Sequence, residues 1–127
     1  MASSQIRNGF QTVVPFLSVQ RAASLVQFLS AALGAERTFQ SKSGTHIEVK
    51  IGDSMLMIGD VGDRPPSTGQ LFMYVEDVDA LYRRAIGAGA TPLMEPTVRN
   101  WGEDEKPLLG AAVKDPAGNS WYFAGPQ

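Results

Sequence analysis

Residues 69–96 read GQLFMYVEDVDALYRRAIGAGATPLMEP, and their order decides the fold: an apolar strand, an acidic turn, an amphipathic helix, a glycine stop and a second strand. The same order stands earlier in the chain, in residues 13–40, VVPFLSVQRAASLVQFLSAALGAERTFQ. Val19 answers Val75, Leu25 answers Leu81, and Gly34 answers Gly89 with a slip of one residue. The segments that follow agree as well. Residues 49–59, VKIGDSMLMIG, and 113–125, VKDPAGNSWYFAG, each read as strand, glycine turn and strand, with Val49 and Lys50 matching Val113 and Lys114.

An internal repeat sets the architecture before any local reading does. Each half is predicted to be βαβββ, over residues 10–60 and 69–125, with the Pro, Gly and Ser of residues 61–68 as the linker. Helix one, over about residues 21–33, brings Leu25, Phe28, Leu29, Ala32 and Leu33 to one face, and Gly34 suits a left-handed stop. In helix two Asp77 is placed to cap the free amides, and Val78, Leu81, Ala85 and Ile86 form the apolar stripe. One half has too little core to stand alone. The expectation is therefore an α+β chain, residues 1–127 as a single domain, whose tandem modules form a curved mixed sheet around a cleft.

Composition bounds the function. The 127 residues are 43% hydrophobic and 19% charged, ordinary for a folded globular protein. Eleven basic residues are spread among thirteen acidic ones with no basic run, so nucleic acid is not an expected partner. There is no cysteine, which excludes disulfides and thiolate catalysis. No apolar run approaches the ~20 residues of a membrane span, and MASSQIRNG lacks the apolar core of a secretion signal. A cytoplasmic protein without membrane contact is the reading. No phosphate loop is present, because GAGA follows a helix where a phosphate cradle would precede one, and no serine sits in a G-x-S-x-G elbow.

Strand alternation says what would face the cleft. Leu17, Val19, Leu71, Met73, Trp121 and Phe123 take the helix side, which turns Val14, Phe16, Ser18, Gln70, Phe72, Tyr74, Ser120 and Tyr122 the other way. In residues 45–51, THIEVKI, the same rule puts Ile47, Val49 and Ile51 inside and His46, Glu48 and Lys50 on the open side. Such a lining suits a planar or apolar ligand oriented by a few polar groups. The candidate ligand-binding residues are Phe16, His46, Leu56, Gln70, Phe72, Tyr74, Trp101 and Tyr122, with Trp101 in a loop that could close over a ligand. His46 and Glu48 are the candidate acid and base if the protein is an enzyme. Glu103, Asp104 and Glu105 resemble a metal cluster, but consecutive loop residues do not converge on one ion, and Met55 and Met57 read as packing.

Three stretches, PFLSVQRAASLVQFL, FMYVEDVDALYRRAIGAGA and VKDPAGNSWYF, resemble the vicinal oxygen chelate superfamily of glyoxalases, bleomycin-resistance proteins and extradiol dioxygenases, over about residues 13–123. The resemblance implies a glyoxalase/bleomycin-resistance fold and, in many members, a homodimer. It also implies where a metal would sit: the matching positions here are Val14, Leu56, Gln70 and Tyr122. One amide and one phenol are too few donors for a divalent ion, so no metal and no cofactor is expected. The function expected is a metal-free protein that binds a small organic ligand, an antibiotic or a metabolite, in an aromatic-lined cleft. The alternative is a glyoxalase-like lyase or isomerase, either working without a metal through His46 and Glu48 or holding one at other positions.

Overall fold

The computed structural model describes residues 6–100 and 106–127 and divides the chain into two compact units, Met1–Ser67 and Thr68–Gln127. The division falls inside the connector read from the sequence. In the first unit β1 (Phe16–Val19) leads to α1 (Ala22–Leu33), then β2 (Glu36–Gln40), β3 (His46–Ile51) and β4 (Ser54–Asp60). In the second, β5 (Gln70–Tyr74) leads to α2 (Val78–Gly87), β6 (Thr91–Arg99), β7 (Leu108–Lys114) and β8 (Ser120–Gly125).

Each unit is the βαβββ module expected, and the strands close as two four-stranded sheets, ordered β1-β4-β3-β2 and β5-β8-β7-β6. β1 pairs parallel with β4 and β5 with β8, while the remaining pairs are antiparallel. The tandem modules thus stand as two four-stranded mixed sheets, one per unit. The connector runs beside the first of them: Ser67 pairs with Ser18 as an isolated bridge and its amide donates to the Ser18 carbonyl at 3.0 Å.

α1 packs on one face of its sheet, where Leu17, Val19, Ile47, Val49, Leu56 and Ile58 are all buried against Leu25, Phe28, Leu29 and Ala32. α2 does the same in the second unit with Val78, Leu81 and Ala85 against Val113, Trp121 and Phe123. Burying a side chain such as Phe123 contributes about 1.5–3 kcal/mol. Ile86, expected in the buried stripe, is only half-buried at the margin of the helix.

The helix ends differ. Asp77 accepts from the Ala80 amide at 3.0 Å and caps α2 as its sequence position predicts. α1 has no local side-chain cap: Arg21 precedes it with φ 55°, a left-handed conformation, and the orphan Ala22 amide donates instead to Asp60 Oδ2 at 3.0 Å. Asp60 also accepts from Gly62 N at 2.8 Å. These two donors, Gly62 first, hold its carboxyl below the ordinary 3.8. The end of β4 thus caps a helix far away in sequence. α1 stops at Gly34, whose φ of 69° is the left-handed stop expected.

The DPxG turn is a structural device. Asp115 Oδ1 accepts from the Ala117 and Asn119 amides, both at 2.9 Å, and its Oδ2 accepts from Trp121 Nε1 at 2.8 Å and Asn119 Nδ2 at 3.1 Å. Asn119 Oδ1 accepts in turn from Gly69 N at 2.9 Å, tying the start of β5 to the turn before β8. Asp115, Asn119 and Trp121 are all buried. Gly125 ends the strand under a tight ceiling, since a Cβ there would run into the Val75 carbonyl oxygen.

Candidate functional site

Each sheet has one helix-covered face and one open face, and the open faces carry the candidate residues. In the first unit the register aligns Phe16 with Met57, Met57 with Glu48, and Glu48 with Phe39, so all share the open face. His46 joins them by alternation, opposite Gly59. Gly59 matters because it has no side chain: the Phe16 ring lies where a Gly59 Cβ would be, 2.9 Å from the Phe16 Cε1 atom, and so reaches over β4 toward β3. The ring centroids of Phe16 and Phe39 then stand 5.9 and 6.1 Å from that of His46. Phe16 is 54% and Phe39 46% exposed.

Glu48 departs from the alternation rule. It lies on the open face yet is only 1% exposed. Its cover is the segment that precedes β1. Arg7 Nη1 and Nη2 donate to the two Glu48 oxygens, each at 2.8 Å, in the forked geometry that suits guanidinium and carboxylate. Gln11 ties down the same segment by donating to the Met55 carbonyl at 2.8 Å and accepting from the Met55 amide at 3.1 Å, which occupies both backbone groups of that residue. His46 Nε2 shares a 2.9 Å hydrogen bond with Glu48 Oε2. The Arg7 hydrogen bonds, followed by that of His46, hold the Glu48 carboxyl below its ordinary 4.5 against the opposing effect of burial. His46 and Glu48 are thus brought together, as the acid and base reading requires. Glu48 itself is poorly suited to take a proton, because Arg7 occupies both its oxygens.

In the second unit Phe72 pairs with Tyr122 and Tyr122 with Ala112, while Tyr74 pairs with Ala124 and Ala124 with Gly110. Phe72, Tyr74 and Tyr122 therefore share a face with Ala112, Ala124 and Gly110, and those three small residues are buried. Phe72 meets Tyr74 edge-on at 5.2 Å, and Tyr74 is 81% exposed. Gln70 is exposed and Ser120 and Tyr122 half-buried on the same face. Phe16, His46 and Glu48 are thus gathered in one unit and Gln70, Phe72, Tyr74 and Tyr122 in the other. Trp101 lies outside the described residues.

Leu56 requires a correction. It pairs with Val49 on the helix-covered face and is 4% exposed, so it lines nothing open. Counting four residues past Gly52, as one does past Gly118 to reach Tyr122, slips by one because the turns differ in length. Ile51 pairs directly with Ser54, leaving a two-residue turn, whereas Lys114 pairs with Ser120 across five residues. The strand ladders make Met57 the counterpart of Tyr122. The positions that the superfamily's metal site would occupy then hold Val14, Met57, Gln70 and Tyr122, an alkyl group, a thioether, a neutral amide and a phenol. That donor set does not fit a divalent ion. Among the described residues no three His, Cys, Asp or Glu side chains are grouped to hold one elsewhere.

Arg7 and Gln11 carry no sequence signal that would mark them, since a single charge and a single amide ahead of the first strand read as solvated. A concavity of about 620 Å³ lies on the helix side between α1 and β2, against Val26, Ser30, Arg37 and Gln40. Arg37 is engaged there with Gln40 at 2.7 Å. No helix among the described residues is long and apolar enough to cross a membrane.

Solved structures of similar fold include a hypothetical protein from S. aureus, 24% identical over 91% of this chain and 96% of that one, with a TM-score of 0.72. TioX from Micromonospora is 19% identical over 91% of this chain and 99% of its own, with a TM-score of 0.71. A lactoylglutathione lyase from Agrobacterium tumefaciens is 18% identical over 91% and 94%, with a TM-score of 0.65. No curated protein matches the sequence. The family model of the Glyoxalase/Bleomycin resistance protein/Dioxygenase superfamily matches residues 10–123, nearly the whole chain from the segment before β1 to Phe123 in β8, and the protein belongs to that superfamily.

Proposed function

We propose that the protein is a metal-free binder of a small planar or apolar organic molecule, an antibiotic or a metabolite, held against the aromatic open faces of its sheets. The observation that carries this reading is the exposure of Phe16, Phe39, Phe72 and Tyr74 on faces that no helix covers, in place of metal-binding side chains. Four large aromatic rings left in solvent lose the ~1.5–3 kcal/mol that burying such a side chain gives, and a flat ligand stacked on them recovers part of it. The same proposal includes a homodimer in the cytoplasm.

A second reading, a metal-independent lyase or isomerase, is favoured by the 2.9 Å contact of His46 with Glu48. In it His46 is the proton-transfer group and Glu48 orients it. Binding and catalysis make different demands on His46: a His46→Ala binder loses modest affinity, whereas an enzyme loses most of its turnover.

The test is a titration of labelled protein with planar aromatic fragments, followed by backbone amide chemical shifts. Shifts confined to open-face positions in β1, β3, β5 and β8 are expected. Shifts confined to the α1 and α2 faces, or none from any fragment, would contradict the proposal.

A further inference from the structure

The two Phe rings and His46 impose a chemistry on what can bind the first unit. Glu48 is buried behind His46, and its two oxygens already accept from Arg7. A carboxylate only accepts hydrogen bonds, so the proton in the 2.9 Å contact belongs to His46 Nε2. In the neutral ring this leaves Nδ1 as a bare acceptor. No other hydrogen bond to the His46 ring occurs among the described residues, and the side chain is 33% exposed. His46 Nδ1 is therefore an acceptor without a hydrogen-bond partner among the described residues, on a partly exposed ring flanked by Phe16 and Phe39.

We propose that Phe16, His46 and Phe39 form a subsite for an aromatic ligand bearing a hydrogen-bond donor, a phenolic O–H or a ring N–H, which it directs to His46 Nδ1. This rests on the aromatic-binding reading above and adds to it the polar group the ligand must carry. Arg7 and Glu48 are positioning residues: Arg7 keeps Glu48 an acceptor, and Glu48 fixes the tautomer of His46. Gly59 belongs to the same arrangement, because a side chain there would displace Phe16 from beside His46. A ligand that offers only acceptors at this point, such as an aryl ether or a carboxylate, meets Nδ1 lone pair against lone pair and is disfavoured.

The experiment compares 2-naphthol with 2-methoxynaphthalene, which share a ring system and differ in the donor. Calorimetry on the wild type and His46→Phe is expected to show the naphthol bound about three- to tenfold more tightly by the wild type, the worth of one hydrogen bond, and equally with the ether by the variant. The circular dichroism spectrum and melting temperature of the variant show whether it is folded. Should it fail to fold, ¹⁵N shifts of the His46 ring in the neutral wild type decide the matter: a proton on Nε2 supports the assignment and a proton on Nδ1 overturns it. Equal affinity of the wild type for both probes overturns the subsite while leaving aromatic binding intact. Binding of neither probe overturns both.

Discussion

Asp115→Ala is expected to lower the stability of the protein by about 3–5 kcal/mol. Four donors converge on this side chain, two from backbone amides, one from Trp121 Nε1 and one from Asn119 Nδ2. All lie at or beside buried residues, Asp115 at 3%, Asn119 at 0% and Trp121 at 1% exposure. Each buried donor left without a partner costs about 1–3 kcal/mol, and water entering the gap recovers part of the sum. Thermal unfolding should show a melting point lower by roughly 10–20 °C. Asp115→Asn should recover only a fraction, since its one oxygen serves the Ala117 and Asn119 amides while its NH₂ faces the indole N–H. An alanine variant as stable as the wild type would mean that the chain path alone holds the turn.

Glu48 gives the second large effect, and pH reveals it. Its carboxyl is held below the ordinary 4.5, chiefly by Arg7, so the folded state binds a proton less readily there than the unfolded chain does. The sign follows: the stabilisation is fully present above the unfolded value and is lost as pH falls through the lower folded value. Against Glu48→Gln, the wild type should be more stable by about 1–2 kcal/mol near neutrality, a hydrogen-bonded charge compared with its neutral isostere. The difference should shrink toward zero in acid, where the protonated carboxyl and the amide are nearly equivalent. Urea unfolding of the two proteins at neutral and acid pH measures it. A gap that stays constant with pH would show that the Arg7 contact adds nothing to folding.

The repeat made much of this fold legible. Periodicity in α1 and α2, the Asp77 cap and the Gly34 stop are written within a few residues of where they act, and they stand as their local sequence suggests. Strand alternation also placed Phe16, Phe72, Tyr74 and Tyr122 on open faces. What alternation could not supply is what lies on top of a face. Glu48 is buried because Arg7, 41 residues away, folds over it. Asp60 caps a helix that begins 38 residues earlier. Both are pairings of single residues across the chain, with no periodic signal to betray them. Leu56 failed for a different reason: a match between glycines carries the register only when the turns are equally long, and Gly52 opens a two-residue turn whereas Gly118 is the fourth residue of a five-residue one.

The proposed metal-free binding face has a direct consequence in solution. Zn(II), Ni(II), Mn(II) and Fe(II), added in turn at micromolar concentration to protein purified without chelator, should leave the melting temperature unchanged, because an ion with no site on the folded state cannot raise it. A clear rise with about one ion bound per chain would contradict this reading and move metal-dependent catalysis ahead of ligand binding.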